Sequence, residues 1–180
     1  LGVRHIDVYL IHWPCPSLGR TVESWKALLT LADEGFIRVP GVSNFKQHHL
    51  QMLYDETGRW PALNQIQCSP AIARTELRAF MSEHGIHAQA WHPTGRKEHM
   101  LAEPGVLRLA RRFGKSPTQI ALRWAVQHGI GVVPKSSHTG RQLENLDLFD
   151  FDFDSEDLAD LTALDRGERA ARDSDVEEEF

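Results

Sequence analysis

Apolar and polar residues alternate along the chain in two distinct rhythms. Short runs rich in β-branched and aromatic residues recur: "IDVYLIHW" (6–13), "IRVPGVS" (37–43), "ALNQIQ" (62–67), "HAQAWH" (87–92) and "IGVVP" (130–134). Between them lie longer stretches with apolar residues three and four apart. These are "TVESWKALLTLADEG" from Thr21, "QHHLQMLYDETG" from Gln47, "RTELRAFMSEHG" from Arg74, and the pair "PGVLRLARRFG" and "SPTQIALRWAVQHG" from Pro104 and Ser116. The first rhythm predicts strands and the second amphipathic helices. Their alternation predicts βα units on a parallel sheet. Thr21 and Ser24 ahead of Gly35, and Ser116-Pro117 ahead of Gly129, supply start and stop signals at the matching ends. From Asp165 the text becomes "DRGERAARDSDVEEEF", charged and poor in aromatics. That predicts a solvated, mobile tail over 166–180 after a single domain over 1–165.

Composition narrows the partners. With 180 residues, 41% hydrophobic and 25% charged, the chain is long and apolar enough to bury a core. Its formal charge of -5, with basic residues scattered among acidic ones, lacks the electrostatic footprint of a nucleic-acid or anionic-membrane binder. Small molecules or proteins are the expected partners. Cys15 and Cys68 lie far apart without a CxxC pair, so no disulfide framework or thiolate zinc site is signalled. No apolar run approaches the roughly 20 residues that span a bilayer, and no basic-then-apolar leader opens the chain. The expectation is a cytoplasmic protein. His48-His49 and His84 with His87 have no carboxylate or thiolate at ligand spacing, and no HExxH occurs, so no metal is expected. Neither a G-x-G-x-x-G fingerprint nor a P-loop is present.

Several residues invite chemistry but read two ways. His12 closes an apolar run, either as a core imidazole satisfied by a carbonyl or as a working donor. Ser43-Asn44 after a strand reads as turn chemistry or as a ligand for an amide. Trp91 is a rim aromatic or a stacking platform. Lys135 and Arg141 are solvated surface or an anion site at a helix start.

The motifs "YLIHWP", "GVSNF", "NQIQ", "AWHPTGR" and "PKSSHTGRQLEN", in this order and spacing, tip the balance. Together the chain resembles the aldo-keto reductases, in particular the bacterial 2,5-diketo-gluconate reductase type. The resemblance runs over essentially the whole chain but matches only the C-terminal five-eighths of that family's fold. A closed (β/α)8 barrel usually needs about 250 residues. The implied fold is therefore α/β, an incomplete TIM barrel containing about the last five βα units.

The resemblance implies an oxidoreductase that reduces aldehydes and ketones to alcohols with NADPH, through a tetrad of Asp, Tyr, Lys and His. His12 matches the histidine, whose implied role is to hydrogen-bond a carbonyl oxygen as it gains negative charge. The other three belong to the part of the fold before Leu1. Tyr9, three residues before His12, falls on the opposite face of its strand, and Tyr54 sits in an amphipathic helix where packing is its expected task. The implied consequence is that this chain alone does not reduce carbonyls at the family's rate. The alternative is a catalytically inactive remnant, or a nucleotide-binding or interaction module that self-associates or needs a complementing chain at its open sheet edges.

For the cofactor, the resemblance implies that Ser43, Asn44 and Gln65 bind the nicotinamide carboxamide and that Trp91 stacks on the ring. Lys135, Ser136 and Arg141 would surround the 2'-phosphate, favouring NADPH over NADH, and Glu144 and Asn145 would meet the adenine. Three positions depart from the pattern: His92 stands where a serine is common, Thr94 where a leucine is, and Ser69 where a histidine often is. The implied substrate is a small carbonyl compound, sugar-like or aromatic.

Overall fold

The computed structural model of the chain describes residues 2–95 and 99–179; Arg96, the last residue of "AWHPTGR", lies outside them. Five strands form: β1 (Ile6–Ile11), β2 (Ile37–Ser43), β3 (Leu63–Gln67), β4 (His87–Trp91) and β5 (Gly131–Val132). Their order is β1-β2-β3-β4-β5, and the described pairings are parallel. Among the described residues seven helices accompany them: α1 (Thr21–Asp33), α2 (Gln47–Thr57), α3 (Thr75–Glu83), α4 (Pro104–Phe113), α5 (Pro117–Gln127), α6 (Thr139–Glu144) and α7 (Ser155–Thr162). The expected strands and helices are all present. β1 stops two residues early, ahead of Pro14, and β5 is short, ahead of Pro134, since proline offers no N–H to a ladder.

Contacts divide the chain into two compact units, one of Leu1–Ile66, Thr75–Ala88 and Arg172–Phe180, the other of Gln67–Arg74 and Gln89–Ala171. In the first unit the apolar stripes of α1 and α2 bury Trp25, Leu28, Leu29, Leu50 and Leu53. Gly41 lets its neighbours close in, because a Cβ there would meet the Leu10 side chain at 2.6 Å and the Leu63 carbonyl oxygen at 2.8 Å. In the second unit α5 buries an unbroken run from Gln119 to Ala125, which marks it as the central helix. Ser116 caps it, accepting from the Gln119 N–H while the Gln119 side chain returns to the Ser116 N–H.

Three expectations change. Thr21 is the first residue of α1 rather than its cap: Arg20 holds the cap position, and the Thr21 hydroxyl donates to the Pro14 carbonyl. A buried carbonyl without a ladder partner outcompetes the helix end for that hydroxyl. The helix α7, absent from the expectation, begins at an Asp154–Asp157 capping box. Finally, the tail is neither wholly solvated nor separate. Residues 172–179 pack within the first unit, Ser174 is buried, Lys46 binds Asp173 and Asp175, and Ser17 binds Glu178. Opposite charges supplied by distant residues anchor a segment whose own composition would leave it free.

Candidate functional site

In the first unit, the site residues gather at the ends of β1 and β2 and beside the middle of β3. His12 follows β1 with its side chain exposed and its ring edge-on to Trp13, centroids 6.1 Å apart at 71°. Asn44 follows β2 with φ 65, a left-handed conformation uncommon outside glycine and easiest for asparagine and aspartate. That conformation lets its side-chain amide donate to the His12 carbonyl (3.0 Å) and to the Ser43 hydroxyl (3.1 Å). Its own N–H donates to the Gln65 carbonyl (2.9 Å), which also accepts the Ser43 hydroxyl (2.9 Å). The "GVSNF" turn thus ties β1, β2 and β3 together, and His12 is held at its backbone. Gln65 takes part through its carbonyl. Neither tyrosine of the chain joins this group by any described contact: Tyr9 is exposed on β1, and Tyr54 stacks on Trp60, centroids 4.4 Å apart at 12°.

The tail flanks His12. The Arg172 guanidinium lies 4.6 Å from the centre of the Trp13 ring and binds Glu177 and Glu179. The hydrogen bond from Arg172 holds the Glu179 carboxyl below the usual carboxylate range against the opposing effect of burial, and the charge of His12 adds to it. No signal in the sequence connects this segment to "LIHWP".

In the second unit, a cavity of about 620 Å³ opens beside the end of β4 and the segment after β5. Trp91, Lys135, Ser136, Arg141, Glu144 and Asn145 all line it. So do His92 and Thr94, two of the departures, and Thr118 from the first turn of α5. His92, like Asn44, directly follows a strand and is left-handed, φ 48. Its ring meets Trp91 edge-on at 4.8 Å. The Ser136 hydroxyl shapes the entry to α6, accepting from the His138 N–H (3.2 Å), while Gln142 donates to the Ser136 carbonyl (2.9 Å). Among the described residues Lys135 and Arg141 make no ion pair, although the chain is acidic and Lys46, Arg112, Lys115 and Arg172 each have carboxylate partners. Ser69, the third departure, is buried and paired with Ile72 through both backbone hydrogen bonds.

The sequence model of the aldo/keto reductase family matches residues 1–166. The chain belongs to this family. It is similar to the 2,5-diketo-D-gluconic acid reductase B of a Corynebacterium species, 41% identical over all of this chain and 65% of that protein. It is likewise similar to the methylglyoxal reductase DkgA of Escherichia coli K12, 40% identical over 97% of this chain and 64% of that protein. Among solved structures, the apo form of Gox0644 matches with a TM-score of 0.93 at 37% identity, over 98% of this chain and 65% of that one. The NADPH complex of a Gox0644 mutant matches with a TM-score of 0.92 at 36% identity. The chain thus spans just under two thirds of the length of these relatives. A parallel α/β chain of five βα units is what an aldo/keto reductase barrel contains over such a span.

Sequence reading missed two features of this family member. Thr118 is named by no motif; it lines the cavity from the first turn of α5. His48 and His49, set aside for want of a carboxylate, meet Asp175 of the tail.

Proposed function

We propose that this chain carries the NADPH site and the carbonyl-orienting histidine of an aldo/keto reductase that reduces aldehydes and ketones to alcohols. The observation that carries the reading is the cavity lined by Trp91, Lys135, Ser136, Arg141, Glu144 and Asn145, with its two cations unpaired among the described residues. The donor set suits the cofactor. Two cations and a hydroxyl suit a phosphomonoester, a carboxylate and an amide suit the adenine edge, and an indole suits a planar ring. In the first unit Ser43, Asn44 and Gln65 are the residues assigned to the carboxamide. NADPH supplies, when bound, a hydride to a carbonyl carbon.

The chain's own contribution is binding and orientation. Asn44 fixes the His12 backbone, and the exposed imidazole can then donate to a carbonyl oxygen as negative charge builds there. The proton that completes an alcohol needs a donor, and neither tyrosine described here is placed for it, so turnover by these 180 residues is expected to be slow or nil. The names of the relatives point to small dicarbonyl compounds, methylglyoxal and 2,5-diketo-D-gluconic acid among them.

The test is to titrate the purified chain with NADPH and follow tryptophan emission. Saturable quenching with energy transfer to the reduced nicotinamide is expected, and its absence at millimolar NADPH would sink the reading. A second reading, an interaction module, is favoured by β1, which ends the strand order with Val8 and Tyr9 each 47% exposed. Concentration-dependent dimers that disappear when Val8 and Tyr9 become lysines would support it; a monomer at all concentrations would remove it.

A further inference from the structure

His48 and His49 occupy the first turn of α2, one residue apart. Neighbours on a helix point roughly 100° away from each other, yet these two imidazoles converge. Their ring centres are 4.0 Å apart, and both Nε2 atoms approach the same oxygen, Oδ1 of Asp175, at 3.0 Å and 3.1 Å. The three donor atoms all lie within 4.8 Å of one another. We propose that His48, His49 and Asp175 bind a divalent transition cation of the zinc class.

The geometry and chemistry agree on the class. Zinc sits about 2.0–2.2 Å from imidazole nitrogen and carboxylate oxygen, so donors around one ion lie roughly 3–3.5 Å apart. Both nitrogen-to-oxygen separations fall in that range before any cation is present. Two imidazoles and one carboxylate suit zinc, cobalt or nickel, whereas magnesium and calcium take oxygen donors. His48 and Asp175 are open to solvent while His49 is buried, which gives the ion a route in and leaves room for water as a further ligand.

Two neighbours bear on the site. Lys46 binds the other oxygen of Asp175, Oδ2, at 2.6 Å, and also binds Asp173. Two carboxylates against one ammonium leave a net negative surrounding, with Oδ1 available to the ion. The Lys46 N–H donates to Nδ1 of His49 at 3.2 Å, which places the proton of the cation-free ring on Nε2. In the bound form that proton moves to Nδ1, and the long bond to the Lys46 amide is given up. The bound ion would fasten the tail to α2, and with it Arg172 over Trp13.

The experiment is zinc titration of the chelator-stripped 180-residue chain against a chromophoric competitor, with cobalt absorption as a second readout. One zinc per chain is expected. His48→Gln and Asp175→Asn should each weaken binding by about tenfold or more, with unchanged circular dichroism, while the control His87→Gln binds normally. The control matters because the chain has 10 histidines. Binding that survives Asp175→Asn would mean an adventitious imidazole pair and overturn the proposal, as would a wild-type chain that takes up no zinc. His48 is exposed, so its variant tests the site even if Asp175→Asn disturbs the tail.

Discussion

The two units use polar residues at strand ends in opposite ways. In the first, Ser43 and Asn44 turn inward to the carbonyls of Gln65 and His12, and the reward is a rigid frame around one histidine. In the second, Lys135 and Arg141 line a cavity with no carboxylate partner among the described residues. A group already bonded to its own backbone positions its neighbours; a charge left unpaired in an acidic chain is available to a ligand. Under the proposed function, the first unit contributes mainly orientation and the second the larger share of cofactor binding energy.

The sharpest way to break this contrast is to remove both cations. Hydrogen bonds to a charged group contribute about 1.5–3 kcal/mol each, so Lys135→Ala with Arg141→Ala should weaken NADPH binding by roughly a hundredfold or more. Melting temperature should hold, since neither residue has an ion pair to lose. Unchanged NADPH affinity in calorimetry would erase the difference between the units.

Asn44→Ala probes the other side. It removes the bonds to the His12 carbonyl and the Ser43 hydroxyl and forces alanine into a left-handed backbone, which together should cost about 2 kcal/mol in urea unfolding. Asn44→Gly, which accepts that backbone, should lose less. Some loss of NADPH affinity is also expected, because Asn44 is assigned to the carboxamide; if stability stayed intact and only NADPH affinity fell, Asn44 would serve the cofactor alone and not frame His12.

Replacing a framework residue of the second unit should cost stability and not cofactor affinity. Asp154 caps α7, accepting from the Asp157 N–H at 2.9 Å. Asp154→Ala is expected to destabilise by about 1 kcal/mol and to leave NADPH binding alone. Loss of binding in that variant would show that the cavity depends on α7.

The smallest effect is set by acid. The Asp157 N–H and then Arg112 hold the Asp154 carboxyl below the usual carboxylate range, and Lys115 does the same for Asp150. Groups with lowered folded values contribute stability above the ordinary carboxylate range of about 4 and lose it as pH falls through the lowered values. These pairs are at the surface, so the protection of amides over 147–157, taken relative to the intrinsic exchange rate at each pH, should fall only slightly between pH 5 and roughly pH 3, and less in high salt. No change at all would mean that the pairs are incidental.

The chain's rhythm made the strands and most helices legible because each has a strong period and an identifiable stop. β2 runs over the expected residues, while α7 was hidden by its short apolar stripe despite the readable Asp154–Asp157 signal. The cavity residues were legible as motifs, since "PKSSHTGRQLEN" and "AWHP" keep their order. What sequence could not supply is contact between segments far apart in the chain. Asp173 and Asp175 look like a solvated acidic tail until Lys46 and the two histidines of α2 are seen beside them. Thr21 looked like a cap because no rule of spacing reveals that the Pro14 carbonyl lies within its reach.

The most direct test of the account is to compare NADPH with NADH by isothermal calorimetry on this chain, wild type and Arg141→Ala. The wild type should prefer NADPH by at least about tenfold, and the preference should collapse in Arg141→Ala. Equal affinity for the two cofactors, or a preference that survives the substitution, would contradict it.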